Sequence, residues 1–102
     1  PVCSIILNNN GLLNAFSFDN HNLTSILVGT LPFVTRFSVN NNDLPSADLD
    51  AIIIAIDNNG LTNGNLEYDN QTGGASPNVG VSGTAYTNLQ AKSWTILGNV
   101  PI

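Results

Sequence analysis

The sequence predicts an α/β solenoid: a short parallel sheet of about four stacked rungs, with extended return segments early in the chain and two helices late. Three observations carry that expectation. Two segments align without gaps at a spacing of 21 residues. Apolar residues come in short runs that alternate with polar ones, the period of a strand. The polar load falls on asparagine, at 17 positions, while charged residues make up only 9 %; asparagine is at home in turns, where its amide bonds backbone groups.

The aligned segments are Phe16-Ser-Phe-Asp-Asn-His-Asn-Leu23 and Phe37-Ser-Val-Asn-Asn-Asn-Asp-Leu44. Extended upstream to Leu13 and Val34, each has the form L-x-x-L-x-L-x-x-N-x-L with apolar substitutions, which is the leucine-rich-repeat pattern. His21 takes the asparagine slot of the first and Asn42 that of the second. Two looser copies follow, Leu66-Glu-Tyr-Asp-Asn-Gln71 and Trp94-Thr-Ile-Leu-Gly-Asn99, with Gln71 and Asn99 in the slot; the spacings become 21, 29 and 28 residues. Parallel strands lie about 4.8 Å apart, so one slot recurs as a ladder. A buried ladder of His21, Asn42, Gln71 and Asn99 would satisfy the backbone of the turns.

Leu23-Thr-Ser-Ile-Leu-Val28 and Val2-Cys-Ser-Ile-Ile-Leu7 repeat the same apolar form half a period out of step. We read them as extended return segments. The chain then opens in mid-coil, so residues 1–102 are expected to form one domain, the C-terminal part of a longer chain. The longer spacings call for longer return segments. Ser46 to Asp57 is the first, a helix capped by Ser46, with Asp48 and Asp50 near its positive end and Leu49, Ile52, Ile53 and Ile56 on one face. Asn58-Asn59-Gly60 stops it. The Gly73 to Gly83 stretch is expected to be loop, and a second helix to run from about Gly83 to Ala91, with Tyr86 and Leu89 inward.

In the strands, Phe16, Phe18, Phe37, Val39, Leu66, Tyr68, Trp94 and Ile96 should point inward, because a rung buries its apolar face only against its neighbours. The outward positions form a polar face. One column is Ser17, Ser38, Glu67 and Thr95. The flanking columns are Ala15, Arg36, Asn65, Ser93 and Asp19, Asn40, Asp69, Leu97. Solenoids generally bind through such a face, so Ser17, Asp19, Arg36, Ser38, Asn40, Glu67, Asp69 and Thr95 are the candidate binding residues.

The run Val34 to Leu44, the helix Ser46 to Asp57, the turn Asn59-Gly-Leu-Thr-Asn-Gly64 and the stretch Gln90-Ala-Lys-Ser-Trp-Thr-Ile96 together resemble a C-terminal module of bacterial and phage leucine-rich-repeat proteins. In that family an asparagine-rich rung leads into an acidic-capped helix, and a helix near the end is closed by a Gly-Trp-Thr-Val strand. Ser93 and Ile96 stand here for that glycine and valine. The resemblance covers roughly Leu13 to Asn99. It implies a non-enzymatic module at the end of a longer protein, with no catalytic residues and no cofactor. The expected role is a structural or receptor-binding part of a phage virion or tail; the alternative is an adhesion or ligand-binding module of a secreted bacterial surface protein. Either places it extracellularly or in a virion.

Charge narrows the partners. The formal net charge is −5, with Arg36 and Lys92 the only strong bases. Two cations cannot neutralise a run of phosphates, which argues against nucleic acid and against an anionic membrane surface. The longest apolar run, Ala51 to Ile56, is too short to cross a bilayer. A protein partner or self-assembly through the ends of the stack is expected, or a glycan on the face. Chemical motifs are weak. His21 lacks a Gly-x-Ser-x-Gly elbow, and Cys3, the single cysteine, has no nearby base. Glu67 and Asp69 share a strand face without sign of a substrate cleft. Asp57-Asn58-Asn59-Gly60 fails as a calcium loop, because the glycine comes too early and no glutamate closes it; Asp19 and Asp69 invite at most an adventitious cation. Asn22-Leu23-Thr24 and Asn70-Gln71-Thr72 match the N-glycosylation triplet, at the frequency chance gives in so asparagine-rich a chain. No repeated Thr-x-Thr ladder supports ice binding.

Overall fold

The computed structural model describes residues 3–9 and 11–102. It is a mixed α/β fold with two helices and short parallel strands in two sheets. In chain order the elements are β1 (Ser4–Leu7), β2 (Ala15–Ser17), β3 (Ser25–Val28), β4 (Arg36–Ser38), α1 (Ser46–Asn58), β5 (Asn65–Glu67), α2 (Val79–Ala91) and β6 (Thr95–Leu97). The larger sheet runs β2-β4-β5-β6 and the smaller is β1-β3, all parallel. Each chain excursion from one strand of the larger sheet to the next thus returns through β3, α1 or α2. The half-period segments pair as β1 and β3, Ser4 opposite Ser25 through Leu7 opposite Val28; Val2, placed in the same repeat, lies outside the described residues.

The core lies between the larger sheet and the return elements. Phe37, Val39, Leu66, Tyr68 and Trp94 are buried from the sheet side, and Ile26, Leu49, Ile52, Ile53, Ile56 and Leu89 from the other. Complete burial of each such aliphatic side chain is worth about 1.5–3 kcal/mol. Phe16, Phe18 and Ile96 point inward too but are half-buried, because β2 and β6 are the sheet's edges and each has a neighbour on one side only.

Both helices differ from expectation at their starts. Ser46 is the first helical residue of α1 and not its cap; Pro45, extended at φ −76°, ψ 163°, holds the cap position. The acidic residues near the start of α1 instead tie elements together. The Asp48 carboxylate accepts the Ile26 N–H at 3.0 Å, latching α1 to β3. Buried Asp50 accepts the Asn78 N–H at 2.7 Å and the Ser82 hydroxyl at 2.6 Å. That anchorage explains why α2 begins at Val79, inside the glycine-rich stretch expected to be loop: two glycines weaken a helix by propensity, but tertiary contacts override it. Leu89 is buried as expected, together with Ser82 and Ala85, whereas Tyr86 is only half-buried.

The last strand pairs two residues further along than the repeat suggested. Leu66 lies opposite Ile96 and Glu67 opposite Leu97, a spacing of 30 residues. Two large-on-small contacts set this register. The Trp94 ring covers Gly64, where a β-carbon would overlap it, and its Nε1 donates to the Leu61 carbonyl at 2.8 Å. The Tyr68 ring covers Gly98, at φ 152°, and leaves no space for a side chain there. Trp94 therefore matches Gly64 and Gly98 matches Tyr68.

Candidate binding face

Three ladders of polar side chains cross the larger sheet. The first is in the turns that follow the strands. Asn42 is completely buried. Its Oδ1 accepts the N–H groups of His21 (3.1 Å) and Leu23 (2.9 Å), and its Nδ2 donates to the carbonyls of Phe18 and Val39. Gln71 makes a matching set one strand later, short of one accepted N–H. Its Oε1 accepts the Leu44 N–H, and its Nε2 donates to the carbonyls of Val39 and Tyr68. Each amide thus closes its own turn and reaches back to the preceding one.

His21 and Asn99 do not belong to this ladder. A ladder side chain needs a preceding turn to bond, and β2 is the first strand of its sheet. The His21 ring is exposed and stacks on Phe18, centroids 4.2 Å apart, while only its backbone N–H joins the Asn42 network. Asn99 is displaced by the register of β6. It lies opposite Asp69, is exposed, and donates to the Ala75 carbonyl; buried Pro101 takes the position that corresponds to Gln71.

The second ladder uses left-handed asparagines. Asn20, Asn41 and Asn70, at φ 63°, 58° and 57°, stand one above another in the turns. Asparagine tolerates this conformation better than other side chains, and Asn70 Nδ2 donates to Asn41 Oδ1 at 2.7 Å.

The third ladder lies on the outward face and includes most of the expected binding residues. Asp19 accepts the Ser38 hydroxyl (2.8 Å) and the Asn40 N–H (2.8 Å). Asn40 in turn accepts the Asp69 N–H and donates to Glu67 Oε1, both at 2.7 Å. Asn65 donates to Glu67 Oε2 at 2.7 Å. Glu67 is therefore held between two amides, and these bonds, with Arg36 nearby, keep its carboxyl below its usual value of 4.5. Thr95 is outward-facing but sits in the neighbouring column, Ala15-Arg36-Asn65-Thr95, because of the shifted register; Leu97 takes its place beside Glu67.

A hollow of about 370 Å³ opens on this face, lined by Ala15, Ser17, Asp19, Arg36, Ser38, Asn65 and Glu67 among others. Its shape follows from the sequence: the small side chains of Ala15 and Ser17 on β2 form a depression beside the longer Arg36, Asn65 and Glu67. Lys92 is occupied by Asp57, at 2.6 Å. Arg36 has no ion pair among the described residues and is exposed. A larger groove of about 560 Å³ between β3 and α1 is walled by residues such as Val28, Leu31, Ile54 and Ala55 and carries no charged side chain. Among the described residues no three acidic, histidine or cysteine side chains cluster as metal ligands, and no helix is long and apolar enough to cross a membrane. Comparison with family models, curated proteins and solved structures finds no match to the chain.

Proposed function

We propose that the chain is a non-enzymatic leucine-rich-repeat module that works by surface contact, as a receptor-binding or structural part of a phage virion or tail. The observation that carries this reading is the outward ladder Asp19–Ser38–Asn40–Glu67–Asn65 around its hollow. Side chains already locked in one arrangement lose little entropy when a partner arrives. The equivalence of Asn42 and Gln71, and the alternation of inward and outward residues at spacings of 21, 29 and 30, support the repeat class. The two free edges of the sheet, at β2 and β6, would meet a protein partner or a second copy.

Adhesion by a secreted bacterial surface protein is the second reading. It uses the same face, and the unpaired Arg36 beside the hollow favours it. Both readings place the chain outside the cell or in a virion. The test is binding of the fluorescently labelled chain to intact bacterial cells, with Ser17→Leu as the variant that fills the hollow. Saturable binding lost in Ser17→Leu supports surface contact through this face. Binding that ignores Ser17→Leu, or no binding across a panel of species, overturns it.

A further inference from the structure

The hollow presents a particular set of unused hydrogen-bonding groups. Each carboxylate oxygen has about two acceptor sites. Asp19 spends its oxygens on Ser38 and Asn40, and Glu67 spends one site per oxygen on Asn40 and Asn65. Both line the hollow and keep acceptor capacity, as does the side-chain oxygen of Asn65. On the donor side stand the Arg36 guanidinium, with five N–H groups, and the Ser17 hydroxyl; neither makes a side-chain hydrogen bond within the described residues. Fixed acceptors and free donors thus border one depression.

We infer that the hollow bounded by Ser17, Asp19, Arg36, Asn65 and Glu67 binds a neutral glycan through adjacent hydroxyl groups. This deepens, and rests on, the reading of the face as a contact surface. A sugar hydroxyl is donor and acceptor at once, so a pair of neighbouring hydroxyls can donate to Glu67 or Asp19 while accepting from Arg36 or Ser17. Carboxylate and guanidinium partners make these bonds stronger than neutral pairs. Charge selects against acidic sugars: two carboxylates and one guanidinium border the hollow, so a sialylated or sulfated ligand meets net repulsion. Of the two rings at the hollow, Phe37 is buried and Phe16 is half-buried with its side chain on the inward side of β2, so stacking contributes little. Single sites are therefore weak, and strength comes from several units of a polysaccharide or several copies of the chain.

The test is binding of the full chain to an immobilised panel of neutral, sialylated and sulfated oligosaccharides. Neutral oligosaccharides are expected to bind and acidic ones to be rejected. Arg36→Ala should weaken binding by about tenfold or more, the loss of one charge-assisted hydrogen bond, and Ser17→Leu should abolish it. The double variant Asp19→Asn with Glu67→Gln should admit the sialylated members. No neutral oligosaccharide bound, or equal binding of acidic ones by the unaltered chain, overturns the inference. Treated cells separate this failure from that of the wider reading. Cell binding lost after periodate oxidation of surface sugars supports the glycan. Cell binding that survives periodate, is lost after protease treatment and remains sensitive to Ser17→Leu means the face contacts a protein; the glycan inference then falls and the contact surface stands.

Discussion

Asn42→Ala should unfold the protein more easily than any surface change on the same sheet. The substitution leaves the buried Leu23 N–H without its acceptor, at a cost of about 1–3 kcal/mol. The His21 N–H and Phe18 carbonyl, both half-buried, lose a bond each, at about 0.5–1.5 kcal/mol apiece. The Val39 carbonyl keeps Gln71 Nε2 as a partner and adds little. The sum is about 4 kcal/mol, a large part of the roughly 5–15 kcal/mol that stabilises a domain. Trp94, the single tryptophan and only 5 % exposed, reports unfolding by fluorescence. With a urea slope of about 2 kcal/mol per molar, the midpoint should fall by about 2 M. His21→Ala, at the corresponding position one strand earlier, should cost under about 1 kcal/mol, because its exposed ring only stacks on Phe18. Equal midpoints for the two variants would refute the ladder reasoning.

Gly64→Ala should cost about 2–4 kcal/mol and shift the tryptophan emission to the red, since the new methyl overlaps the indole and breaks its bond to Leu61. Ser93→Gly should stabilise by about 0.5–1 kcal/mol in the same urea assay: Ser93 sits at φ 63°, where a side chain costs about 1–2 kcal/mol, against about 0.5–1 kcal/mol of extra chain entropy for glycine. Burial, with Tyr86 and Asp50 nearby, pushes the Tyr68 hydroxyl well above its ordinary 10.0. The folded state then holds a proton that the unfolded state gives up, so stability is full below pH 10 and falls as pH rises beyond it. Tyr68→Phe, which loses the bond to the Asn99 carbonyl, should cost about 0.5–1.5 kcal/mol at neutral pH and flatten the alkaline decline measured by urea titration.

The parallel strands, their inward residues and the early extended return segments could be read from the sequence because the first two copies align without gaps: a spacing of 21 fixes both Phe16 opposite Phe37 and Ser4 opposite Ser25. The last strand was misplaced because its inward positions trade size with the neighbouring strand. Trp94 lies over Gly64 and Gly98 under Tyr68, so a search for like residues slides the register by two. Complementary volumes, large opposite Gly, were the available signal. The early start of α2 was hidden for another reason: Asp50, 28 residues before Asn78, supplies the anchorage that local propensity lacks. On the candidate face, the columns of Asp19 and Asn40 were readable from alternation. The network joining them to Ser38, Asn65 and Glu67 was not, since it depends on which amide reaches which carboxylate across strands. Nor could alternation reveal the hollow, which arises where Ala15 and Ser17 stand beside longer side chains.

Cross-saturation transfer from intact bacterial cells to the deuterated, nitrogen-labelled chain tests the central claim most directly, because it marks the residues that touch the partner. Contact through the face predicts attenuated amides at Ala15 to Asp19, Arg36 to Asn40 and Asn65 to Asp69, with those of α1 and α2 unaffected. Attenuation confined to the helices, or spread evenly over the chain, would contradict it.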